Sequence, residues 1–379
     1  MEALQSFNPA VKLESKIFGT RTIASGFPCF IIAEIGTAHN GSLNKAYELI
    51  EAAAESGADC AKFQIVLADE IIHPETGDVP LPGGSIPLYQ RFKKLETGEE
   101  FFLKIKEYTE KKGLFFLGSV FGVKSAGILK NIGGKAVKIA SPELNHYPLL
   151  TEVKSYAIPV ILSTGVSTVG DIEKALRIIG LNSALLHCIT SYPAPEDEYN
   201  ITVIPNIRNL FGVPAGVSDH SLDPILVPVL SVIMGGCLVE KHLCLKRSKR
   251  GLDDPIALPP QDFKIMVDSI RTMEIMEQKE ALNYLKQKYG QEKIDIVLGN
   301  GVKTLAQSEI SNYETTRRTI HALTFIPAGT ILSEDNCALL RSEKKLRPGL
   351  PPEFFHVIIG KKTVQDIPPG EGIRWDDLF

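Results

Sequence analysis

Eight short apolar runs, each followed by a longer amphipathic segment, constrain this chain more than any other feature of its sequence. The runs lack polar alternation, which is typical of parallel strands that are buried on both faces. They are FIIAEIG (30–36), CAKFQIV (60–66), LFFLGS (114–119), AVKIAS (136–141), PVILSTG (159–165), SALLHCIT (183–190), PAGVSD (214–219) and CLVEKH (237–242). Eight such units over roughly 250 residues predict an α/β protein built on a (β/α)8 TIM barrel. A doubly wound sheet is the alternative, but the glycine-rich GxGxxG turn typical of that fold is absent.

The periodicity changes near residue 283, which predicts the end of the barrel. We assign residues 1–285 to the barrel domain and 286–316 to a helix end plus linker. Residues 317–379 are turn-rich, with Pro-Ala-Gly, Arg-Pro-Gly and Pro-Pro-Gly turns between short β-like pieces, and predict a small β-rich domain. The stretch 67–98 is long and rich in Pro and Gly, which indicates either a lid or binding loop or a flexible excursion.

The composition excludes several classes of protein. The 379 residues include 41 basic and 45 acidic residues, so no basic excess indicates a nucleic-acid partner. The longest apolar stretch is interrupted by Asp223 and two prolines, which argues against a membrane span, and residues 1–16 contain no apolar signal core. Six cysteines without a CxxC spacing predict reduced, buried thiols. We therefore expect a cytoplasmic protein.

Polar side chains stand at or just after the end of every predicted strand. The C-terminal ends of the strands in a TIM barrel form one mouth, where the chemistry of such enzymes takes place. We therefore expect these side chains to converge. They belong to Glu34; Lys62 and Gln64; Ser119; Lys138, Ser141 and Glu143; Ser163, with the backbone amide of Gly165 beside it; Thr190 and Tyr192; Ser218 and His220; and Glu240 and His242.

The lysines and small hydroxyl groups predict a phosphate site. Lys62 and Lys138 would supply positive charge, while Ser119, Ser141 and Ser163 would supply short hydrogen-bond donors. A single lysine would more simply extend its ammonium from a strand end towards water, but two lysines with three hydroxyls favour phosphate. No GxxxxGK[ST] loop is present, so a nucleoside triphosphate is not favoured.

The two histidines at the ends of the last two strands are candidate metal ligands. Neutral imidazoles of His220 and His242 would leave positions on a divalent ion for water and substrate. The alternative is that both are ordinary core histidines. Three acids could be ligands, bases or acceptors for sugar hydroxyls, or could instead form ion pairs with the two lysines; these acids are Glu34, Glu143 and Glu240.

Several stretches together resemble the sialic acid synthase family, the phosphoenolpyruvate-dependent N-acetylneuraminate synthases and their nonulosonic acid relatives. These stretches are AEIGTAHNGS, ADCAKFQ, KIASPELNHYPLL, VILSTGVST, LLHCITSYPAP, GVSDHS, VEKHLCL and NCALLRS followed by IIGKK. The resemblance runs from Ile31 to Leu378, and the last part resembles the antifreeze-like (SAF) domain that the family carries.

The resemblance implies a reaction and a cofactor. Carbon 3 of phosphoenolpyruvate would attack the aldehyde of a 2-acetamido hexose, such as N-acetylmannosamine or a relative, and phosphate would leave. By position, phosphoenolpyruvate would be held by Lys62, Ser119, Lys138, Ser141, Ser163, Thr190 and Ser218, with Gly165 and Glu240 in the same binding set. His220 and His242 would hold a divalent metal, Mn2+ first, with Mg2+ or Co2+ as alternatives.

The sugar side follows from the same resemblance. The sugar would be oriented by Glu34, Gln64, Tyr192 and Asp253, with Glu143 near the reacting carbons. Arg341 would reach the N-acetyl group in a partner subunit's site, so the resemblance implies a domain-swapped homodimer, although Arg347 is an alternative for this contact. Two other functions stay open: a non-catalytic sugar-binding homologue, and an aldolase-like barrel that forms a Schiff base through a buried lysine.

Overall fold

The structure is a computed structural model that describes residues 8–15, 19–81, 84–247, 253–343 and 345–378. Its strands in chain order are β1 (Val11–Ser15), β2 (Gly19–Ile23), β3 (Phe30–Gly36), β4 (Cys60–Ile65), β5 (Asp78–Leu81), β6 (Gly84–Pro87), β7 (Phe115–Val120), β8 (Val137–Ile139), β9 (Val160–Ser163), β10 (Ser183–Cys188), β11 (Ala215–Asp219), β12 (Leu238–His242), β13 (Arg318–Ala322) and β14 (Cys337–Arg341). Its α-helices are α1 (Leu43–Glu55), α2 (Leu88–Leu95), α3 (Glu99–Lys111), α4 (Val123–Asn131), α5 (Tyr147–Ser155), α6 (Val169–Ile179), α7 (Val203–Phe211), α8 (Leu226–Ile233), α9 (Pro260–Met273), α10 (Gln278–Tyr289), α11 (Gln291–Leu298) and α12 (Phe355–Ile358).

Eight of these strands form a closed parallel barrel. Going round the barrel the order is β3, β4, β7, β8, β9, β10, β11 and β12, and β12 pairs with β3 to close it. Each of the eight apolar runs supplies one strand, and apolar side chains from strands and helices, such as Ile31, Phe63, Leu49 and Phe102, share one core. The predicted α/β barrel is therefore confirmed.

A short hairpin, which the sequence pattern did not predict, packs against the barrel. Strands β1 and β2 pair antiparallel, with Val11 opposite Ile23. Val11, Leu13 and Ile23 share a core cluster with Phe30 and Leu117 of the barrel strands. Phe30 begins β3, so the hairpin lies towards the N-terminal ends of the strands and leaves the opposite mouth free.

The long segment after β4 folds over that opposite mouth. It contains the antiparallel pair β5–β6 and helix α2. Its apolar side chains Ile71, Val79 and Leu88 pack in one cluster with Val66 and Phe121. The segment is therefore ordered and contributes a wall beside the strand ends, as the lid or binding-loop interpretation requires.

The segment predicted as helix end plus linker contains more regular structure than its sequence indicates. The predicted boundary at residue 285 falls inside α10, and α11 follows directly after Gly290. Only Ala281 and Leu285 of α10 and Ile294 and Val297 of α11 are buried, which explains the weak apolar periodicity. A 3-10 turn, Gln307–Asn312, then leads to the C-terminal residues, and we call it the 307–312 turn.

The C-terminal part has its own small core and docks on the barrel. Strands β13 and β14 pair antiparallel, and residues such as Ile320, Leu339 and Ile373 form a separate apolar cluster. The Arg341 backbone N–H donates to the Ile71 carbonyl at 3.0 Å, and the Asn145 side chain donates to the Arg318 carbonyl at 2.9 Å. These contacts lie within one chain, so the exchange of this domain with a partner subunit stays a prediction.

All six cysteines are unpaired and buried, as the sequence predicts for reduced thiols. Among the helices in the described part of the chain, none combines the length and the apolar character that a membrane span requires.

Candidate active site

A cavity of about 470 Å³ opens at the C-terminal ends of the barrel strands. Every barrel strand contributes to its lining: Glu34 from β3, Lys62 and Gln64 from β4, Ser119 from β7, Lys138 from β8, Ser163 from β9, Cys188 from β10, Ser218 from β11, and Glu240 and His242 from β12. The following loops add Ser141, Thr190, Tyr192, His220 and Asp253, and the C-terminal part adds Arg341. Two residues predicted for the site, Gly165 and Glu143, are not among the described residues that line the cavity.

Lys62 lies between two carboxylates in the floor of this cavity. Its Nζ lies 3.1 Å from Glu34 Oε2 and 3.2 Å from Glu240 Oε2, and donates to Ser119 Oγ at 3.1 Å. Gln64 Nε2 donates to Glu34 Oε1 at 2.9 Å, which fixes that carboxylate. Glu34 therefore forms an ion pair with Lys62, which is one of the alternatives left open by the sequence. The two carboxylates hold the Lys62 ammonium group at a defined position.

Lys138 shares a carboxylate with Lys62. Its Nζ donates to Ser163 Oγ at 2.6 Å and lies 3.4 Å from Glu240 Oε1, which also accepts a hydrogen bond from Ser218 Oγ at 2.9 Å. Glu240 is therefore the common counterion of both buried lysines. The arrangement holds two ammonium groups close to three hydroxyls, those of Ser119, Ser163 and Ser218.

Burial and charge act in opposite directions on the groups of this network. Desolvation raises the pKa of Glu240, but Lys138 and Lys62 outweigh it, so the pKa lies well below its usual range. Desolvation also raises the pKa of Glu34, and there Lys62 does not fully compensate. For Lys138, desolvation outweighs the attraction of Glu240 and lowers the pKa. Glu240 therefore stays ionised, while Glu34 is the acid of the cavity that holds a proton most readily.

Three residues from neighbouring loops meet beside the lysines. The Gly165 N–H donates to Ser141 Oγ at 3.0 Å. A Cβ atom on Gly165 would lie 2.2 Å from Thr190 Oγ1, so only glycine allows this approach. Within the described residues, the buried Thr190 hydroxyl has no hydrogen-bond partner. It is therefore free to bind a ligand oxygen.

The two candidate metal ligands stand side by side at the mouth. The ring centroids of His220 and His242 are 5.7 Å apart, and Tyr192 stacks on His220 at 4.3 Å. His220 Nδ1 donates to the Ile189 carbonyl at 2.7 Å, so Nε2 is the nitrogen that could bind a metal ion. Burial lowers the pKa of His220, but Cys188, with its sulfur 3.8 Å from Nδ1, outweighs that effect and raises the pKa to about 9.

These imidazoles fit an open metal site and not a closed one. Within the described ranges, no group of three or more His, Cys, Asp or Glu side chains is placed to hold a metal ion. Asp253 Oδ2 lies 4.0 Å from His242 Nδ1, on the ring of the second histidine. An ion here would take its other ligands from water and substrate, and it would displace the proton of His220.

The outer part of the cavity has an apolar wall. Its members are Val66, Ile71, Val79, Leu88, Phe92 and Phe121, most of them from the segment that follows β4. The lining also contains polar side chains from the 307–312 turn, and Arg341 at the end of β14 adjoins the apolar wall, with its guanidinium 5.7 Å from the centre of the Phe121 ring. The loop that the sequence assigns to the sugar is described only from Asp253 onwards, so Arg250 to Leu252 lie outside the described residues.

Arg341 and Glu143, which the sequence assigns to separate contacts with the sugar, form an ion pair with each other. Arg341 lines the cavity, and its Nε donates to Glu143 Oε1 at 3.0 Å. Arg318 binds the other oxygen of the same carboxylate. Glu143 is fully buried, and although desolvation raises its pKa, the two arginines outweigh this and lower it. Instead of facing the cavity near reacting carbons, Glu143 anchors the C-terminal part to the barrel.

Arg347, the alternative for the N-acetyl contact, lies away from the cavity. Its guanidinium binds Asp377 at 2.8 Å and donates to the Gly372 carbonyl at 3.1 Å. Both partners belong to the C-terminal domain itself. The geometry therefore favours Arg341 over Arg347 as the arginine that can meet a ligand.

Sequence reasoning missed the contribution of the 307–312 turn and its neighbours. The cavity is also lined by Ser308, Ser311, Asn312, Thr316 and Glu343. These residues lie in a polar stretch without periodicity, so no local signal places them near the barrel. Arg318 was missed for a similar reason, since its partner Glu143 is distant in sequence.

Comparison with known proteins places the chain in a family. The NeuB family matches residues 49–281, which is more than half of the chain, and the SAF domain matches residues 317–378. The chain belongs to the NeuB family. The resemblance inferred from the sequence is thereby confirmed, and the NeuB match covers most of the residues that line the cavity.

Two relatives match this chain over nearly its whole length and over nearly the whole of their own. The spore coat polysaccharide biosynthesis protein SpsE of Bacillus subtilis is 37% identical over 95% of this chain and 96% of its own. The N,N'-diacetyllegionaminic acid synthase of Legionella pneumophila is 31% identical over 96% of this chain and 98% of its own. The crystal structure of SpsE superposes with a TM-score of 0.79, at 35% identity, and covers 96% of this chain and 99% of that one.

Proposed function

We propose that this NeuB-family chain condenses phosphoenolpyruvate with a 2-acetamido hexose to give a nine-carbon sialic-type acid and inorganic phosphate. The observation that carries the proposal is the pair of buried lysines, Lys62 and Lys138, held with hydroxyl groups in the floor of the cavity. This floor lies beside two imidazoles that fit an open metal site. Relatives named as synthases of nine-carbon acids support the same reaction.

The two lysines and the hydroxyl groups would bind phosphoenolpyruvate. Lys62 and Lys138 supply charge, and the serine hydroxyls beside them can turn from their present partners to the ligand. The unpartnered hydroxyl of Thr190 adds a donor that no described protein group uses. A ligand with both carboxylate and phosphate groups would thus share the two ammonium groups with Glu240.

The condensation forms one carbon–carbon bond, and at carbon 2 it replaces the bond to the bridging oxygen by a bond to a water oxygen. Carbon 3 of phosphoenolpyruvate attacks the sugar aldehyde, water adds at carbon 2, and phosphate leaves with its bridging oxygen. A divalent ion at His220 and His242, Mn2+ first, would supply Lewis-acid polarisation of the aldehyde. Glu34, whose pKa is raised by burial, would exchange a proton during these steps.

The outer cavity favours an unphosphorylated sugar with apolar substituents. Among the described lining residues there, Arg341 is the cation, and Glu143 and Glu343 already bind it. Within the described lining, a sugar phosphate would therefore find no uncompensated positive charge at the outer cavity. The wall formed by residues such as Val79, Leu88 and Phe92 suits the methyl groups of acetamido or deoxy positions.

Phosphate release with a panel of sugars tests the function. The protein would be incubated with phosphoenolpyruvate, Mn2+ and unphosphorylated or 6-phosphorylated 2-acetamido and 2,4-diacetamido hexoses. We expect sugar-dependent phosphate release, fastest with an unphosphorylated diacetamido sugar. No release with any sugar would contradict the proposal, and binding without release would instead indicate a sugar-binding homologue.

One observation favours a second candidate, an aldolase that forms a Schiff base. Burial lowers the pKa of Lys138, and a lysine of this kind can act as a nucleophile. Against it, Ser163 and Glu240 both contact Nζ in a way that suits the charged form. Borohydride reduction in the presence of pyruvate separates the two, because a Schiff base would leave a stable adduct on Lys138 and a synthase would not.

We also propose that the active assembly is a homodimer in which the C-terminal domains are exchanged. The domain has a small core of its own, and its arginines insert at Glu143 of the barrel, a contact that either chain can make in the same way. Mixing an Arg341→Ala variant with a His220→Ala variant should restore activity under conditions of subunit exchange. No recovery despite proven exchange would show that each chain completes its own site.

A further inference from the structure

The 307–312 turn carries a buried carboxylate that the proposed mechanism does not use. Glu309 is completely buried. Its Oε1 accepts hydrogen bonds from the backbone N–H groups of Val166 at 2.7 Å and Thr190 at 2.6 Å. Its Oε2 accepts from the Ala306 N–H at 3.3 Å, which closes the turn on itself. A carboxylate is rarely this deep in a protein without a specific task.

The two amides that Glu309 binds belong to the loops after neighbouring barrel strands. Val166 follows β9 and has a φ of +42°, a left-handed conformation that a β-branched residue rarely adopts. Thr190 follows β10. Two backbone N–H groups that converge on one point form a cradle for an anion. Here the chain's own carboxylate fills that cradle, through two charge-assisted hydrogen bonds.

A positive charge close to Glu309 makes its burial as an anion more favourable. Lys303 is largely buried, and it interacts electrostatically with Glu309. Within the described part of the chain, the Lys303 ammonium has no hydrogen-bond partner. The turn therefore contributes the carboxylate, and Lys303, just before the turn in the chain, contributes a compensating charge.

Thr190, on the loop after β10, and Ser141, which follows β8, carry hydroxyl groups that we assign to phosphate. Gly165 precedes Val166, and its N–H donates to Ser141 Oγ at 3.0 Å. A Cβ atom at Gly165 would lie 2.2 Å from Thr190 Oγ1 and 3.0 Å from Glu309 Oε1, so these groups are in close contact. Asn312, at the other end of the turn, donates to the Thr190 carbonyl at 3.0 Å. Glu309 and Asn312 therefore both tie the turn to the backbone of Thr190.

We propose that Glu309 is a positioning residue for phosphoenolpyruvate. It does not touch the ligand, but it fixes the backbone of the loops after β9 and β10, and thereby places the hydroxyls of Ser141 and Thr190 at the cavity. This inference rests on the proposed function, because it concerns the same substrate.

Steady-state kinetics of Glu309 variants test this role. In Glu309→Ala both amides lose their acceptor, so the KM for phosphoenolpyruvate should rise by about 10-fold or more, with a smaller change in kcat. The KM for the sugar should stay within about twofold, since the apolar wall and Arg341 are untouched. Glu309→Gln keeps an oxygen that can accept from both N–H groups, and should stay within about threefold of the wild type.

Glu198 offers a matched control, because it lies outside the 307–312 turn but binds Ser308 within it. Its Oε2 accepts from the N–H of Ser308 at 3.0 Å and from the Ser308 hydroxyl at 2.7 Å, but it makes no contact with the amide cradle. Glu198→Ala should leave the KM for phosphoenolpyruvate unchanged. An equal rise in both alanine variants would overturn the proposal, because docking of the turn in general would then be responsible. An unchanged KM in Glu309→Ala would overturn it as well.

A second comparison covers the case in which Glu309→Ala does not fold. Glu309→Asp keeps the charge but is one methylene too short to reach both amides. The proposal requires Gln to preserve the KM for phosphoenolpyruvate better than Asp, and the reverse order would contradict it. Sugar-dependent phosphate release by the wild type decides the proposed function separately. A wild type without that activity would contradict both the proposed function and the role of Glu309. An active wild type whose Glu309 variants keep their KM for phosphoenolpyruvate would contradict only the role of Glu309.

Discussion

The carboxylate of Glu240 lies 3.4 Å from the ammonium of Lys138, and the same carboxylate is a counterion of a second buried lysine, Lys62. Two cations in the floor of the cavity thus depend in part on one shared anion, and Lys62 also pairs with Glu34. A ligand that brings its own negative charge would relieve that dependence. The relationship links the stability of the empty barrel to its affinity for an anionic substrate.

Removal of the shared carboxylate should destabilise the empty protein. In Glu240→Gln two buried ammonium groups lose their common counterion, and breaking a buried pair typically costs about 3–5 kcal/mol. In urea unfolding, the free energy of unfolding of the variant should be lower by about that amount. Inorganic phosphate should stabilise the variant more than the wild type. Glu353→Gln is the control, since its ion pair with Lys174 is at the surface and should contribute less than about 1 kcal/mol. Equal losses in both variants would contradict the assigned role of Glu240.

Loss of either lysine should weaken phosphoenolpyruvate binding. Lys62→Ala and Lys138→Ala each remove one charge-assisted contact, so the apparent affinity should fall by about 10-fold or more. Calorimetric titration or the KM for phosphoenolpyruvate measures this, and Lys174→Ala serves as a surface control. Unchanged affinity in both cavity variants would remove the phosphate assignment.

Turnover should depend on a divalent metal held by the two imidazoles. A chelator should abolish sugar-dependent phosphate release, and Mn2+ should restore it in the wild type. His220→Ala and His242→Ala should stay inactive after Mn2+ is added, because too few protein ligands remain. Full activity of metal-free protein, or of either variant, would show that the imidazoles do another task.

The stability of the fold should fall as the pH drops below about 6.5. Desolvation, assisted by Lys303, lowers the pKa of His187 to about 3, and its Nε2 donates to the Tyr199 carbonyl. The folded state therefore keeps His187 neutral, whereas the unfolded chain takes up a proton below its ordinary pKa of about 6.5. Because the unfolded state binds more protons, acidification from about pH 6.5 to about pH 3 favours unfolding by up to ~1.4 kcal/mol per pH unit for this residue.

Urea unfolding at several pH values measures this effect. His187→Gln should flatten the dependence of the free energy of unfolding on pH by up to that amount. His356→Gln, at an exposed site, is the control and should leave the slope unchanged. A slope that His187→Gln does not alter would mean that the side chain is not held neutral in the folded state.

Much of the barrel and its mouth could be predicted from local pattern. A strand buried on both faces reads as an apolar run, and a polar residue at its end, such as Lys62 or His242, is conspicuous for that reason. Parallel strands bring those ends together, so eight independent signals predict one cavity. The family resemblance supplied what pattern alone does not, the identities of the proposed substrates and the C-terminal domain.

What local pattern missed depends on contacts between distant segments. Glu143 follows β8 like the other mouth residues, but Arg318 and Arg341 bind it only because the C-terminal part docks there. Glu309 lies in a polar stretch without helical period, and its amide partners are in two separate loops. The sequence of helix α11 resembles a linker because only Ile294 and Val297 are buried in the helix, which leaves little apolar periodicity.

The most direct test of the central claim follows the oxygen atoms of the reaction. The protein would be incubated with phosphoenolpyruvate, Mn2+ and an accepted sugar in water enriched in oxygen-18, and phosphate and product would be analysed by mass spectrometry. Condensation with carbon–oxygen cleavage predicts unlabelled phosphate and an equal amount of a product that combines the sugar with a three-carbon acid unit. Labelled phosphate, or phosphate released without that product, would contradict the account.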